Sequence, residues 1–347
     1  MVIKINKLNS SRLFEVDILR IILIIILLVD HAFAPFGEIW EPVINQSDNV
    51  IYEYISQISS SLFLQIFVFI SGYIYGMKCL QINNYDYKRE IYRKFTRLII
   101  PSIFFSFFYF IIFEDNKLQI TEIIYNIVNG YGHLWFLPML FWCFVLTILF
   151  EHYKISSTYA LPLSLFLSLL SFIPLPFRLT QSFCFFFYFY IGFIIQKKNI
   201  NLNRFADYYI ISSFMILYLL CFISSKQVRI TGFNEDLVLS HASRIVVNNI
   251  VRLFYSILGL SSLYFLSVKL SKKLARRNQV AIYYMASYCF GIYIYQQFLL
   301  KYFYYEIYKG QFSILFLPWI GLIVAGLGSA LLTFFTLKFP YGRKLIG

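Results

Sequence analysis

Apolar residues in this chain come in long, nearly unbroken runs, not in the alternating or one-sided patterns of a water-soluble protein. Runs of spanning length fall at about 16–35, 58–77, 96–113, 134–150, 158–174, 181–196, 207–224, 250–268, 280–300 and 313–337. A membrane-crossing helix needs about 20 mostly apolar residues. These runs are too long and too continuously apolar for barrel strands, whose residues alternate in polarity. The pattern predicts an all-α integral membrane protein, a bundle of about ten transmembrane helices. The connections are short, so residues 1–347 read as a single polytopic transmembrane domain with no appended soluble domain.

Composition agrees. Of 347 residues, 59% are hydrophobic and 14% charged, against roughly 25% charged in a soluble domain. A net charge of +13 could signal nucleic acid, but the basic residues lie between the apolar runs and act as topology signals. One side would carry Lys4, Lys7, Arg12, Lys78, Lys88, Arg89, Arg93, Lys94, Arg97, Lys154, Lys197, Lys198, Arg204, Lys269, Lys272, Lys273, Arg276, Arg277, Lys338, Arg343 and Lys344. The other would carry Lys117, Arg178, Lys226, Arg229, Arg244, Arg252, Lys301 and Lys309. This asymmetry puts both termini in the cytoplasm. The five cysteines show no paired spacing and give neither a disulfide nor a metal signal. The first run ends in Ala32-Phe33-Ala34 and superficially resembles a cleavable leader. Pro35 after it, and Asp30 and His31 within it, mark it as the first span.

That first span holds the chemistry that apolarity does not explain. An ionisable residue within a bilayer costs roughly 2.5–3.5 kcal/mol on insertion scales and so points to function. Here there are four: Asp17, Arg20, Asp30 and His31. Eleven residues make three helical turns plus about 20°, so Arg20 and His31 share a face about 16 Å apart. Asp17, one turn before Arg20, can pair with the guanidinium. Interfacial snorkelling would also account for Asp17 and Arg20; a histidine at bilayer depth is a proton acceptor for a hydroxyl.

Elsewhere the signals are weaker. Ser71-Gly72 reads first as a close helix contact between small residues. Arg93 and Arg97 begin span 3 one turn apart. They either anchor the helix at the membrane surface or form a cationic site suited to phosphate. His133 and Trp135 open span 4 on the external side. Trp135 fits an aromatic belt, which leaves His133 unexplained.

Asp17-x-x-Arg20-(ten residues)-His31 in the first of ten spans resembles the signature of the membrane acyltransferase-3 family. The order of later motifs agrees: Phe69-Ile-Ser71-Gly72-Tyr, Arg93-(three residues)-Arg97 with Pro101, His133-Leu-Trp135-Phe-Leu, a phenylalanine-rich span ending near Gly192, Gly291-Ile-Tyr293 and Pro340-Tyr-Gly-Arg. The resemblance covers essentially the whole chain. Many members place a histidine a few residues after the span 9 tyrosine; this chain has Gln296-Gln297. Gln296 can hydrogen-bond but is no base near neutral pH, which puts the weight on His31.

The resemblance implies a membrane-bound O-acyltransferase of the stand-alone type in a bacterial cytoplasmic membrane. It would move an acyl group, most often acetyl, from cytoplasmic acyl-CoA to a hydroxyl of a cell-surface polysaccharide or lipid-linked glycan. Its partners are then acyl-CoA, the glycan acceptor and membrane lipid, with no nucleic acid and no metal; assembly as a homo-oligomer stays open. Arg93 and Arg97 would hold the nucleotide. Arg20, oriented by Asp17, would hold the donor or its oxyanion. His31 would take the hydroxyl proton. The acceptor would enter past His133 and Trp135, with Asp30, Gln296 and Ser71 in its binding surface. The rival reading is a flippase or transporter of a lipid-linked sugar, whose charges would line a pathway. A polysaccharide polymerase or ligase would call for a larger external loop than 35–57 or 225–249 offers.

Overall fold

Each apolar run carries helix, because hydrocarbon offers a backbone N–H or C=O no partner outside its own segment. The computed structural model describes residues 13–37, 40–46, 48–80, 86–113, 119–171, 173–231, 241–274 and 279–346. The helices are α1 (Phe14–Phe33), α2 (Val50–Leu80), α3 (Tyr87–Phe113), α4 (Ile120–Asn129), α5 (Phe136–His152, entered through a tight turn at Gly132–Trp135) and α6 (Ser157–Leu169). After them come α7 (Leu179–Lys197), α8 (Tyr208–Thr231), α9 (His241–Leu274), α10 (Gln279–Lys301), α11 (Leu317–Lys338) and α12 (Pro340–Ile346). Among the described residues there is no strand. Lys4, Lys7, Arg12, Lys117, Arg276 and Arg277 of the charge pattern lie outside the described residues.

Seven of these helices are long and apolar enough to cross a membrane: α2, α3, α5, α7, α8, α9 and α11. Three of the ten expected spans fall short of that measure. In α1 the run is interrupted by Glu15, Asp17, Arg20 and Asp30; α6 has only 13 residues; α10 is diluted by tyrosines and by Gln296 and Gln297. Two short helices, α4 and α12, fall outside the ten runs. The first opens with a reciprocal cap between Gln119 and Glu122. The connection read at 225–249 is shorter than the sequence indicates, since α8 runs to Thr231 and α9 begins at His241.

Helix α1 is the central stave, touching α2, α9, α10 and α11. Its Leu19, Leu23 and Leu27 are fully buried in a core shared with Leu300, Leu317 and Ala325. It runs antiparallel to α2: Glu15 lies near Tyr73 at one end, and Phe33 meets Tyr52 edge-on at the other. Helices α2 and α7 form the closest pair in the bundle. A Cβ at Gly72 would strike the carbonyl oxygen of Phe189, and one at Gly192 would strike that of Phe69. The small-residue reading of Gly72 thus holds. Ser71 turns its hydroxyl to the Phe67 carbonyl of its own helix, 2.9 Å away. Around this contact Tyr75, Phe144, Phe186, Phe189 and Phe193 build a second, aromatic core.

Helix α3 contains a wide turn over Phe95–Ile99. Pro101 has no N–H to give the Arg97 carbonyl, and the π register absorbs the mismatch: the Ile100 N–H bonds to the Phe95 carbonyl. A second wide turn, Tyr302–Ile307, ends α10.

Gly72→Val places branched carbons against a backbone oxygen that no rotamer change can move. It should destabilise the α2–α7 pair by about 1–3 kcal/mol and lower the thermal midpoint of the detergent-solubilised protein. An unchanged midpoint would mean the two helices can part freely.

Candidate active site

One turn into α1, Asp17 and Arg20 form the ion pair expected from their spacing: Arg20 Nη1 is 3.4 Å from Asp17 Oδ1. The carboxylate is buried and the guanidinium half-buried. Both lie near Cys289 of α10. Two turns further along α10, the Gln296 amide faces the imidazole of His31. The ion pair and His31 therefore look toward the same neighbouring helix, as the eleven-residue spacing requires.

His31 is buried and enclosed by aromatic rings. Trp40 stacks on it with centroids 5.7 Å apart, and Phe63 meets it edge-on at 6.4 Å. Its Nε2 is 3.6 Å from Asp30 Oδ2, too long for a formed hydrogen bond. Among the described residues, His31 Nδ1, Asp30 Oδ1 and both polar atoms of Gln296 lack a hydrogen bond of good geometry, although the Gln296 amide is near enough to His31 to interact with it. All are buried. Several polar atoms with unspent hydrogen-bonding capacity thus converge in an apolar bundle.

The residue that completes this cluster comes from the start of α5. The His133 ring lies 6.3 Å from the His31 ring, edge to face. Three hydrogen bonds fix it to α10. Its peptide N–H donates to Gln297 Oε1 (2.9 Å), the Tyr293 hydroxyl donates to its carbonyl (2.7 Å), and its Nε2 sits 3.0 Å from the Ile294 carbonyl. Gly130 and Gly132 make this possible. Both have positive φ, where a side chain is strained, and the chain folds sharply enough to push His133 inward. Tyr109 and Phe298 close the far side of the ring. Lys301 carries its ammonium over the rings of Trp40 and Tyr109, at 5.7 and 5.4 Å.

The cationic residues of α3 gather at the opposite end, where α1 begins and α2 ends. Buried Glu90 receives Lys78 Nζ at 2.6 Å and Arg93 Nη1 at 2.9 Å. Lys94 turns inward, its ammonium 3.7 Å from the Phe144 ring centroid and 5.0 Å from that of Tyr75. Arg93 and Arg97 are exposed.

His31, Asp30, Gln296 and His133 therefore share one cluster. Asp17 and Arg20 stand along the same helix, and Arg93 and Arg97 mark the far end. Trp135 is set apart. Its ring partners among the described residues are Phe136 and Phe185. Ser71 is bonded within its own helix. Sequence reasoning missed Trp40, Tyr109 and Glu90, and named Tyr293, Gln297 and Lys94 only within motifs or charge counts, with no role of their own in the site. A pair of adjacent amides in an apolar run was a legible signal for Gln297; nothing local marks Trp40, which reaches His31 from a connection.

No curated protein and no solved structure matches this chain. A family model described as an acyltransferase domain matches residues 13–338. With nearly the whole length matched, and a buried imidazole cluster in line with the Asp17–Arg20 pair, the chain belongs to the acyltransferase-3 family.

Proposed function

We propose that this acyltransferase takes its acyl group, acetyl first among the candidates, from acyl-CoA and places it on a hydroxyl of a cell-surface polysaccharide or lipid-linked glycan. The observation that carries this reading is the placement of His31. It is a buried base-forming ring on the same helix as an Arg–Asp pair, with that pair toward the cationic end of the bundle. The loop-charge asymmetry supports ten crossings with both termini cytoplasmic, in a single polytopic domain of the cytoplasmic membrane. On that orientation the cations Lys78, Arg93, Lys94 and Arg97 face the compartment that contains acyl-CoA.

The donor's phosphates would meet the α3 cations, where the planar forks of Arg93 and Arg97 suit phosphate oxygens. Arg20, steadied by Asp17, would line the path of the donor's arm between the α3 cations and His31 and hold it by its polar groups. At the other end the acceptor hydroxyl would donate its hydrogen to His31. As the oxygen bonds the acyl carbon, the carbon–sulfur bond breaks, His31 holds the hydroxyl's proton, and the departing thiolate takes that proton from His31 and leaves as free thiol. Trp40, stacked beside His31, offers a flat apolar face to a sugar ring. The transporter reading finds less support, because a pathway for a sugar has no need of a histidine packed between rings.

Acetyl transfer by proteoliposomes holding the purified protein, fed acetyl-CoA labelled in the acetyl group, tests the donor side. His31→Ala should lower transfer by about 10²–10⁴-fold, the usual contribution of a general base, with membrane insertion unchanged; activity retained in that variant would sink the role. Arg20→Lys keeps the charge and loses the fork, and should cost roughly 10–10²-fold, the scale of one lost charge-assisted hydrogen bond. Activity near that of the wild type would show that charge alone suffices there.

A further inference from the structure

We infer that the acceptor of this enzyme presents two neighbouring hydrogen-bond donors, a vicinal diol in the case of a sugar, and that His133 binds the donor next to the reacting hydroxyl. The inference rests on the function proposed above and specifies its acceptor.

It follows from the hydrogen bonds of the two imidazoles. His133 Nε2 lies 3.0 Å from the Ile294 carbonyl oxygen, which can only accept. Nε2 must therefore carry the hydrogen, and in the neutral ring Nδ1 is a bare acceptor. The tautomer is assigned from that partner. Among the described residues Nδ1 of His133 is buried without a hydrogen-bond partner, and so is Nδ1 of His31. A buried acceptor left unpaired costs about 1–3 kcal/mol, so His133 Nδ1, beside the unpaired Nδ1 of His31, marks a site built for a donor supplied by something else.

A single hydroxyl cannot serve both. It has one hydrogen, and on giving it to His31 has none left for His133. The two rings are near neighbours, edge to face with centroids 6.3 Å apart, so one ligand that gives a hydrogen bond to each must carry its two donors on adjacent atoms. The rigidity of His133 argues the same way. Its N–H, its carbonyl and its Nε2 are each tied to α10, so its free nitrogen is held still. A fixed acceptor suits recognition of a fixed donor. In the transfer step His133 keeps its proton count; the reacting proton goes to His31, and the neighbouring hydroxyl leaves as it came. His133 is thus a positioning residue and a filter. An acceptor with an isolated hydroxyl would leave its nitrogen buried and unpaired, a strong basis for rejection.

Two substitutions separate this role from a merely structural one. His133→Gln can keep an N–H at the place of Nε2 for the Ile294 carbonyl while removing the Nδ1 acceptor. His133→Asn does the reverse, placing an oxygen near Nδ1 and giving up the Ile294 bond. Surface glycan is isolated from cells carrying each form of the chain, its ester content is quantified, and the ester position is located by nuclear magnetic resonance. The expected result is an ester on a carbon whose ring neighbour bears a free hydroxyl or N–H. His133→Gln should lower ester content about tenfold, the scale of one lost hydrogen bond, and His133→Asn should retain the larger share. An ester flanked only by linked or deoxy positions would overturn the inference, as would full activity in His133→Gln with loss in His133→Asn. If the wild-type chain adds no ester to any glycan, the acceptor proposed above fails with it, and that outcome is distinguishable from the other two.

Discussion

A polar atom inside a hydrocarbon-embedded bundle has no water to fall back on. Each hydrogen bond it makes must come from another helix, or its cost stands. The contact of α5 with α10 follows this rule. A tight glycine turn drives the start of α5 inward, and Gln297, Tyr293 and the Ile294 carbonyl receive His133 at three atoms. Tying that ring to α10 also sets it opposite His31, because α10 packs on α1 as well. One helix thus places both imidazoles, and the rest of the candidate site is arranged around that coincidence.

Much of the architecture was legible because the membrane constrains a sequence so heavily. Each of the ten apolar runs carries helix among its described residues, and the Asp17–Arg20 spacing gives the ion pair that helical geometry demands. The close contact at Gly72 was legible for the same reason: few residues other than glycine let two backbones touch. What the sequence concealed lies in the relation between segments. His133 and His31 are about a hundred positions apart and no periodicity joins them. Trp40 comes from a connection whose path depends on the helices it links. Gln296 was noticed for what it lacked, a titrating nitrogen, whereas in the fold its amide faces His31.

The cationic end shows the same limit in another form. Arg93 and Arg97 look equivalent on paper, one turn apart on a basic helix. In the structure Arg93 shares Glu90 with Lys78, while Lys94 between them points its ammonium at Phe144 and Tyr75. Burial of an ammonium against aromatic faces is favourable in itself, which no count of basic residues would reveal.

The wide turn at Phe95–Ile99 has a geometric corollary. A π turn takes in one residue more than an α turn, so the helix on one side of it is rotated by about 100° relative to the other. The polar stretch Tyr87–Lys94 and the apolar stretch Ile100–Phe113 consequently obey two separate wheels, out of phase by one position. Pro101 makes this offset a permanent property of the chain, in the manner of a splice between two helices. The basic stretch and the wide turn pack on α5, and the apolar stretch packs on α4 and the Gly132–Trp135 turn, so each half of the helix answers to its own neighbour.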